Sequence, residues 1–300
     1  NMSINIAIVP VAGQGTSVLP LTKSQPKEML AVGRKPVVQY VVEELARSGI
    51  ERILFITSNG KSSIAAHFDI DEQLIQYLRE TGREPNLAEL DYERQNIEYF
   101  YTRQRRQLGL GHAVLCAQPL IGREPAVVAL GDSIIGRNGD SRIVQRMIDV
   151  FETQHGDAVI AIEEVSVDQV NQYGIVTAAD PDSEFLTLTG AVEKPAVDSA
   201  PSNLSIAARY VFSSAVYDAL QRVEPDINGL IQLTDAIELL IQDGAKVIGV
   251  KLGDQTKRYD IGGFESYFKT FIDFALTDPE FGVSLREHVQ TILTSNESKG

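Results

Sequence analysis

Short apolar runs alternate with amphipathic stretches through the first half of the chain, and this alternation limits the fold more than any other feature. Residues 4–10, 52–57, 97–101, 126–130 and 158–163 read as strands. Between them 36–48, 62–68, 71–79, 111–118 and 141–154 read as helices, with another near 86–94. Pro36 suits a first helical turn and Gly49 lies just past a helix end. The run 126–130 is apolar throughout, as expected of a strand covered on both faces. Such alternation predicts an α/β fold with a mostly parallel sheet flanked by helices on both faces. The second half is richer in strands, at 174–177, 185–193, 206–212 and 247–252. Helices are expected at 214–222, 233–243, 264–275 and 281–293, with frayed polar residues at the end. The charged stretch 69–96 reads as a helical insertion, and Asn1, ahead of Met2, is set aside as a residue added to the chain.

The segment 11–30 follows the first strand. Gly13 and Gly15 let the backbone turn sharply and approach a ligand closely, and Lys23 and Lys27 add positive charge. A tight turn alone would also use two glycines. Val18 occupies the third glycine position of the dinucleotide fingerprint, and no Gly-Lys-[Ser/Thr] follows. The loop therefore fits neither a dehydrogenase nor a P-loop, but a longer phosphate-binding loop with lysines downstream.

A net charge of −14 argues against non-specific nucleic-acid binding. There is no run of about 18 apolar residues, so no transmembrane helix is expected. No basic-then-apolar start suggests a signal peptide, and a cytoplasmic protein is expected. Cys116 is the single cysteine, which excludes an intrachain disulfide and a cysteine zinc site. No Gly-x-Ser-x-Gly elbow is present.

Several polar residues could carry chemistry. Asp132 follows the buried strand 126–130, where ligands gather in open α/β sheets; it reads as a Mg²⁺ ligand or as an N-cap or turn aspartate before 138–141. Asp260, before Gly262 and Gly263, reads as a second metal carboxylate or as a helix N-cap. Glu193 and Lys194 end a strand, and both can face one ligand only if the chain bends there. Otherwise they are a surface charge pair. Gln104, within the basic stretch 103–106, offers a donor and an acceptor to a base edge, and Gly109 with Gly111 forms a second glycine turn.

Together these segments resemble the bacterial UTP–glucose-1-phosphate uridylyltransferases, or UDP-glucose pyrophosphorylases. The match includes Ile8-Val-Pro-Val-Ala-Gly13, Pro26-Lys-Glu-Met-Leu30, His67-Phe-Asp69, Leu108-Gly-Leu-Gly-His-Ala113, Tyr173-Gly-Ile-Val176, Val192-Glu-Lys-Pro195, Arg209-Tyr-Val211 and Ile231-Gln-Leu-Thr-Asp235. Related thymidylyltransferases usually carry Ser-Lys-Gln where this chain has Pro26-Lys-Glu28. The resemblance implies one nucleotidyltransferase domain over 2–295, of nucleotide-sugar fold with a Rossmann-like mixed, mostly parallel sheet flanked by helices. Its nucleotide-binding half spans about 2–135, its strand-rich sugar-binding half about 136–263, and its C-terminal helices 264–295. It implies Mg²⁺ dependence and a homodimer or homotetramer. Ala12, Gly13, Gly15, Thr16, Glu28, Gln104 and Gly109 would hold the nucleotide, and Gly174, Glu193 and Lys194 the sugar phosphate. Lys27, Asp132 and Lys194 would be catalytic, and Asp132 with Asp260 would bind the metal. The implied reaction joins UTP and glucose 1-phosphate into UDP-glucose and pyrophosphate.

Two positions depart from the family pattern. Ser17 stands where the loop usually has an arginine, and Phe264 where many members have a lysine. Serine cannot form a bidentate guanidinium contact, and loss of such a clamp could cost on the order of 10²–10³ in rate. Lys23, Lys27, Arg105 or Arg106 would then carry the triphosphate. Otherwise the chain is a catalytically weak UDP-sugar-binding regulatory homologue, or a thymidylyltransferase.

Overall fold

The computed structural model describes residues 4–253 and 256–297, with no side-chain description for 296 and 297. Asn1, Met2 and the very end expected to fray, residues 298–300, lie outside the described residues, as do 254 and 255 within the expected domain. The strands are β1 (Ile6–Pro10), β2 (Ala31–Val32), β3 (Lys35–Pro36), β4 (Arg52–Thr57), β5 (Glu98–Arg103), β6 (Ala126–Ala129) and β7 (Ser133–Ile135). They continue as β8 (Ala158–Glu164), β9 (Gly174–Ala178), β10 (Phe185–Glu193), β11 (Leu204–Phe212), β12 (Val247–Lys251) and β13 (Arg258–Asp260). Nine of them form one sheet in the order β5-β4-β1-β6-β11-β8-β12-β10-β9. The nucleotide-side strands β5, β4, β1 and β6 run parallel. Beyond them β11 is antiparallel to β6 and β8, and β10 is antiparallel to β12 and β9. The parallel order thus dominates the alternating half and the antiparallel pairs the strand-rich half, where only β12 runs parallel to its neighbour β8 among the described strands.

Ten helices surround the sheet among the described residues. They are α1 (Val37–Arg47), α2 (Ser62–Phe68), α3 (Glu72–Glu80), α4 (Gly109–Leu115), α5 (Gln118–Ile121), α6 (Ile143–Gln154), α7 (Ala215–Arg222), α8 (Leu233–Gln242), α9 (Phe264–Leu276) and α10 (Gly282–Glu297). No described helix is long and apolar enough to cross a membrane. The two-residue side-chain period of each strand feeds two cores. Ile6, Ile8, Leu54, Ile56 and Val128 pack on the face of α4, α7 and α8. Ala7, Val9, Ile53, Phe55 and Val127 pack on the face of α1 and α6. Each fully buried Val, Ile or Leu contributes about 1.5–3 kcal/mol, which explains why these strands are apolar throughout.

Three local readings change. Pro36 is the N-cap of α1 rather than part of its first turn, because it pairs with Ala31 in the β2–β3 ladder. The helix expected over 111–118 is two: α4 ends at Leu115, and α5 starts afresh with Pro119 in its first turn. The insertion holds α3 and a 3₁₀ segment, Glu84–Arg94, instead of a third α-helix.

A third, smaller core positions the site. Val18, Leu30 and Val32 of the glycine-loop region meet Ile134 of β7, Tyr259 and Ile261 around β13, and Phe274 of α9. This cluster draws the start of the chain and its C-terminal part to one point. The antiparallel β7–β13 pair sets Asp260 opposite Ser133, directly after Asp132.

Candidate active site

The loops after β1, β4, β5 and β6 all leave the C-terminal ends of parallel strands, where open α/β sheets collect ligands. Ala12 is buried, Gly13 is exposed, and a Cβ on Gly13 would meet nothing within 4 Å. Gly15 has φ +66°, its carbonyl accepts from the Thr22 hydroxyl at 2.7 Å, and a Cβ there would sit 3.0 Å from the Thr22 methyl. The chain then makes a 3₁₀ turn over Thr16–Val18, with Thr16 and Ser17 exposed and Val18 buried.

Lys27 reaches Asp132, with Nζ 2.5 Å from the carboxylate. The Asp132 carboxylate, aided by Glu28 and Asp260, holds the Lys27 pKa above its ordinary value against burial. Burial pushes the Asp132 carboxyl up, but the Lys27 ammonium outweighs it and the net shift is down. Asp132 therefore neutralises Lys27 and does not cap a helix. Asp260 is no N-cap either, since Gly263 holds that place on α9. One Asp260 oxygen accepts from Gly262 N–H at 3.0 Å and the other from the Tyr173 hydroxyl at 3.3 Å. The Ile261 N–H donates to the Asp132 carbonyl at 3.3 Å, so the two aspartates lie on adjoining backbone.

Glu28 is buried and pairs with Lys61 at 2.8 Å. Burial raises its pKa, and Lys61 only partly opposes the rise. The Glu28 carboxylate, expected at the nucleotide and next to Lys27 in sequence, is thus held by Lys61. Gln104 is buried as well, and its amide nitrogen donates to the Gly109 carbonyl at 2.9 Å and to His112 Nδ1 at 3.0 Å. Gly109 has φ +93°, and a Cβ on it would lie 2.6 Å from the Ile231 carbonyl oxygen. This second glycine turn is thus locked onto the chain at Ile231, with Gly111 N–H donating to the same carbonyl at 2.9 Å.

The sugar-side residues also converge. Gly174 and Glu193 are register partners in the β9–β10 pair. A Cβ on Gly174 would lie 2.6 Å from Thr234 Oγ1 and 3.2 Å from Glu193 Oε2. Thr234 donates to Glu193 Oε2 at 2.6 Å. Lys194 has φ +45°, and this bend brings its Nζ to 3.9 Å from Glu193 Oε1, so both side chains can serve one ligand. Tyr173, next to Gly174, ties this cradle to Asp260, and Arg258 stacks 4.1 Å from the Tyr173 ring while pairing with Glu163 at 2.6 Å.

Lys61, Thr234, Tyr173 and Arg258 are site-building residues that motif reading passed over. Lys61 follows a parallel strand end, a positional signal. Thr234 lies inside a quoted family segment without a role attached. Arg105 and Arg106 line a cavity with Arg103, His112 and Cys116, to which no residue of the glycine loop contributes.

Metal fit can be judged from the donors. Asp132 and Asp260 are hard oxygen ligands at adjoining positions, and no cluster of three or more metal-ligating side chains occurs among the described residues. Two carboxylates completed by substrate phosphates and water is an arrangement suited to Mg²⁺.

The chain is similar to known proteins over nearly its whole length. The pattern of the nucleotidyl transferase family matches residues 6–275. A UTP–glucose-1-phosphate uridylyltransferase of Staphylococcus saprophyticus is 38% identical over 291 residues, covering 97% of this chain and 99% of that protein. The solved structure of a UTP-bound UGPase from Acinetobacter baumannii superimposes with a TM-score of 0.86 at 36% identity, covering 96% and 99% of the two chains. A UDP-glucose pyrophosphorylase complexed with UDP-glucose gives a TM-score of 0.79 at 31% identity, with 89% and 97% covered.

Proposed function

This chain belongs to the nucleotidyl transferase family, alongside the UTP–glucose-1-phosphate uridylyltransferases, and we propose that it transfers UMP from UTP to glucose 1-phosphate. The carrying observation is the meeting of Lys27, Asp132 and Asp260, drawn from three distant segments. Two phosphate-bearing anions must come together there, and charge is the main obstacle. A glucose-1-phosphate oxygen attacks the α-phosphorus of UTP in line, and pyrophosphate leaves. The attacking phosphate is already ionised near neutral pH, so no general base is needed. The residues neutralise charge and align the reactants.

Gly13 and Gly15 bring backbone N–H groups to the nucleotide. Both N–H groups of the Gln104 amide are engaged, which leaves its Oε1 to accept from a base N–H. Glu193 accepts sugar hydroxyls above the bare Cα of Gly174, and Lys194 neutralises the sugar phosphate. Asp132 and Asp260 would hold Mg²⁺, whose charge would offset that of the phosphates. Exposed Phe268 and Ile272 on α9, with Leu293 on α10, support self-association as a homodimer or homotetramer, which sedimentation would measure.

Ser17 and Phe264 favour a second reading, a weak UDP-sugar-binding regulatory homologue. A pyrophosphate-release assay with UTP, glucose 1-phosphate and Mg²⁺ separates the two, on this chain and on Ser17→Arg. Ser17 is exposed, so the longer side chain fits without displacing a neighbour. The active-enzyme reading expects turnover from the unaltered chain and a modest gain from Ser17→Arg. No turnover until Ser17 is replaced would sink it. Parallel runs with dTTP and galactose 1-phosphate test the specificity.

A further inference from the structure

The side chains of the stretch Arg103-Gln-Arg-Arg106 divide between two places. Gln104 is buried and holds Gly109. Arg103, Arg105 and Arg106 instead line a cavity of about 420 Å³ at the end of β5, together with His112 of α4 and Cys116 just past it. No carboxylate lines this cavity, although the chain carries a net charge of −14. None of the three guanidinium groups has an ion-pair or hydrogen-bond partner among the described residues. No residue of the glycine loop or of the sugar cradle lines it either.

Three cations gathered in one recess without counter-charge repel one another. A multiply charged oxyanion removes that repulsion and accepts the planar N–H pairs of guanidinium, a match that phosphate makes bidentately. One polar residue of the lining also leads elsewhere. His112 Nδ1 accepts from the Gln104 amide, which places the ring proton on Nε2 and leaves that N–H as the donor of the imidazole. The same amide holds the Gly109 carbonyl. An anion that takes the Nε2–H fixes the ring, and the ring fixes the amide.

We infer that this cavity is a second site, for a small phosphate-bearing anion, and that its occupancy is transmitted to the base pocket through His112 and Gln104. The transmission rests on the nucleotide reading given above; the anion site does not. The occupant is either free inorganic phosphate or the phosphate group of a small ester, and the two are told apart by titrating each.

The test is calorimetric titration of the full chain, saturated with UDP-glucose and free of divalent metal, with inorganic phosphate and separately with ribose 5-phosphate. The expected result is one saturable site, weakened at least tenfold in Arg105→Ala/Arg106→Ala. UDP-glucose affinity should shift at least threefold with phosphate, beyond the effect of sodium chloride at equal ionic strength. His112→Phe should abolish that shift while phosphate still binds. Absence of saturable binding, or equal binding by the double variant, overturns the site. A tenfold rise in the UTP KM of the double variant with no phosphate binding would assign the arginines to the triphosphate instead. A shift reproduced by sodium chloride overturns the transmission. Should UDP-glucose itself fail to bind, the functional reading fails, and titration of the ligand-free chain against the double variant still decides the anion site.

Discussion

The sides proposed for the nucleotide and for the sugar phosphate are built in opposite ways. On the nucleotide side the charges already neutralise one another: Lys27 with Asp132 and Lys61 with Glu28. Beneath them a third pair, Arg209 with Glu44, is fully buried, and Arg209 also donates to the Ser133 carbonyl at 2.9 Å. On the sugar side one carboxylate, Glu193, is aimed by a hydroxyl over a glycine, and Lys194 stays largely exposed. The first region is an assembly of paired charges. The second is a steric frame closed around a glycine. Altering charge should therefore damage the first, and altering volume the second.

The largest expected effect comes from Lys61→Met, which leaves Glu28 buried without its cation. Breaking such a pair costs about 3–5 kcal/mol. The sign with pH follows from Glu28, whose folded pKa is already raised by burial. A raised carboxyl contributes stability below its unfolded pKa and loses it as pH rises through the folded one. Denaturant melts of the variant should thus weaken from pH 5 to pH 8, and Glu28→Gln added to it should recover most of the loss. A variant as stable as the parent would break the description of this side as a charge assembly. Asp132→Ala comes next. It should lower pyrophosphate release by at least the 10²–10³ or so typical of losing one stabilising group. The fold should survive, since Asp132 is only partly buried. Full activity in that variant would remove Asp132 from the site.

On the sugar side the sharper probe is volume. Gly174→Ala places a methyl group 2.6 Å from Thr234 Oγ1 and 3.2 Å from Glu193 Oε2. Overpacking of this kind costs about 1–3 kcal/mol, here spent on moving the cradle. We expect the KM for glucose 1-phosphate to rise about tenfold, with the KM for UTP unchanged. A matching rise in both would mean that the two sides are not separable.

The same contrast explains what could be read before the structure. Strand and helix positions were legible because the inner strands of the parallel half are mainly apolar on both faces, as at Ala126–Ala129. The sugar cradle was half legible: Gly174 and Glu193 came from family motifs, while Thr234 acts by a hydroxyl that no spacing announces. Lys61 carried only its position after a parallel strand end. Its role depends on Glu28, distant in sequence, and pairwise burial leaves no periodic trace. The β7–β13 pair was missed because three-residue strands carry no readable alternation, and yet it sets Asp132 beside Asp260. Glu28 and Gln104 were singled out as nucleotide contacts, but their inward partners emerged only in three dimensions.

The smallest effect concerns the wall of the nucleotide side, where a partly buried imidazole has no counterpart in the sugar cradle. His67 Nε2–H donates to Gln39 Oε1 at 3.0 Å, and the ring stacks on Tyr92 of the insertion with centroids 4.8 Å apart. Burial lowers its pKa, and Glu43 only partly opposes the change. The unfolded imidazole then takes up a proton at a pH where the folded one does not. Stability is therefore full above the ordinary imidazole pKa of about 6.5 and declines as pH falls below it. His112 is lowered by burial too and acts in the same direction, so the informative quantity is a difference between variants. Between pH 7.5 and pH 5.5 the melting temperature of His67→Gln should fall less than that of the parent, while Thr234→Val, a sugar-side change, should leave the slope untouched. An unchanged slope in His67→Gln would show that the wall remains neutral for some reason other than this ring.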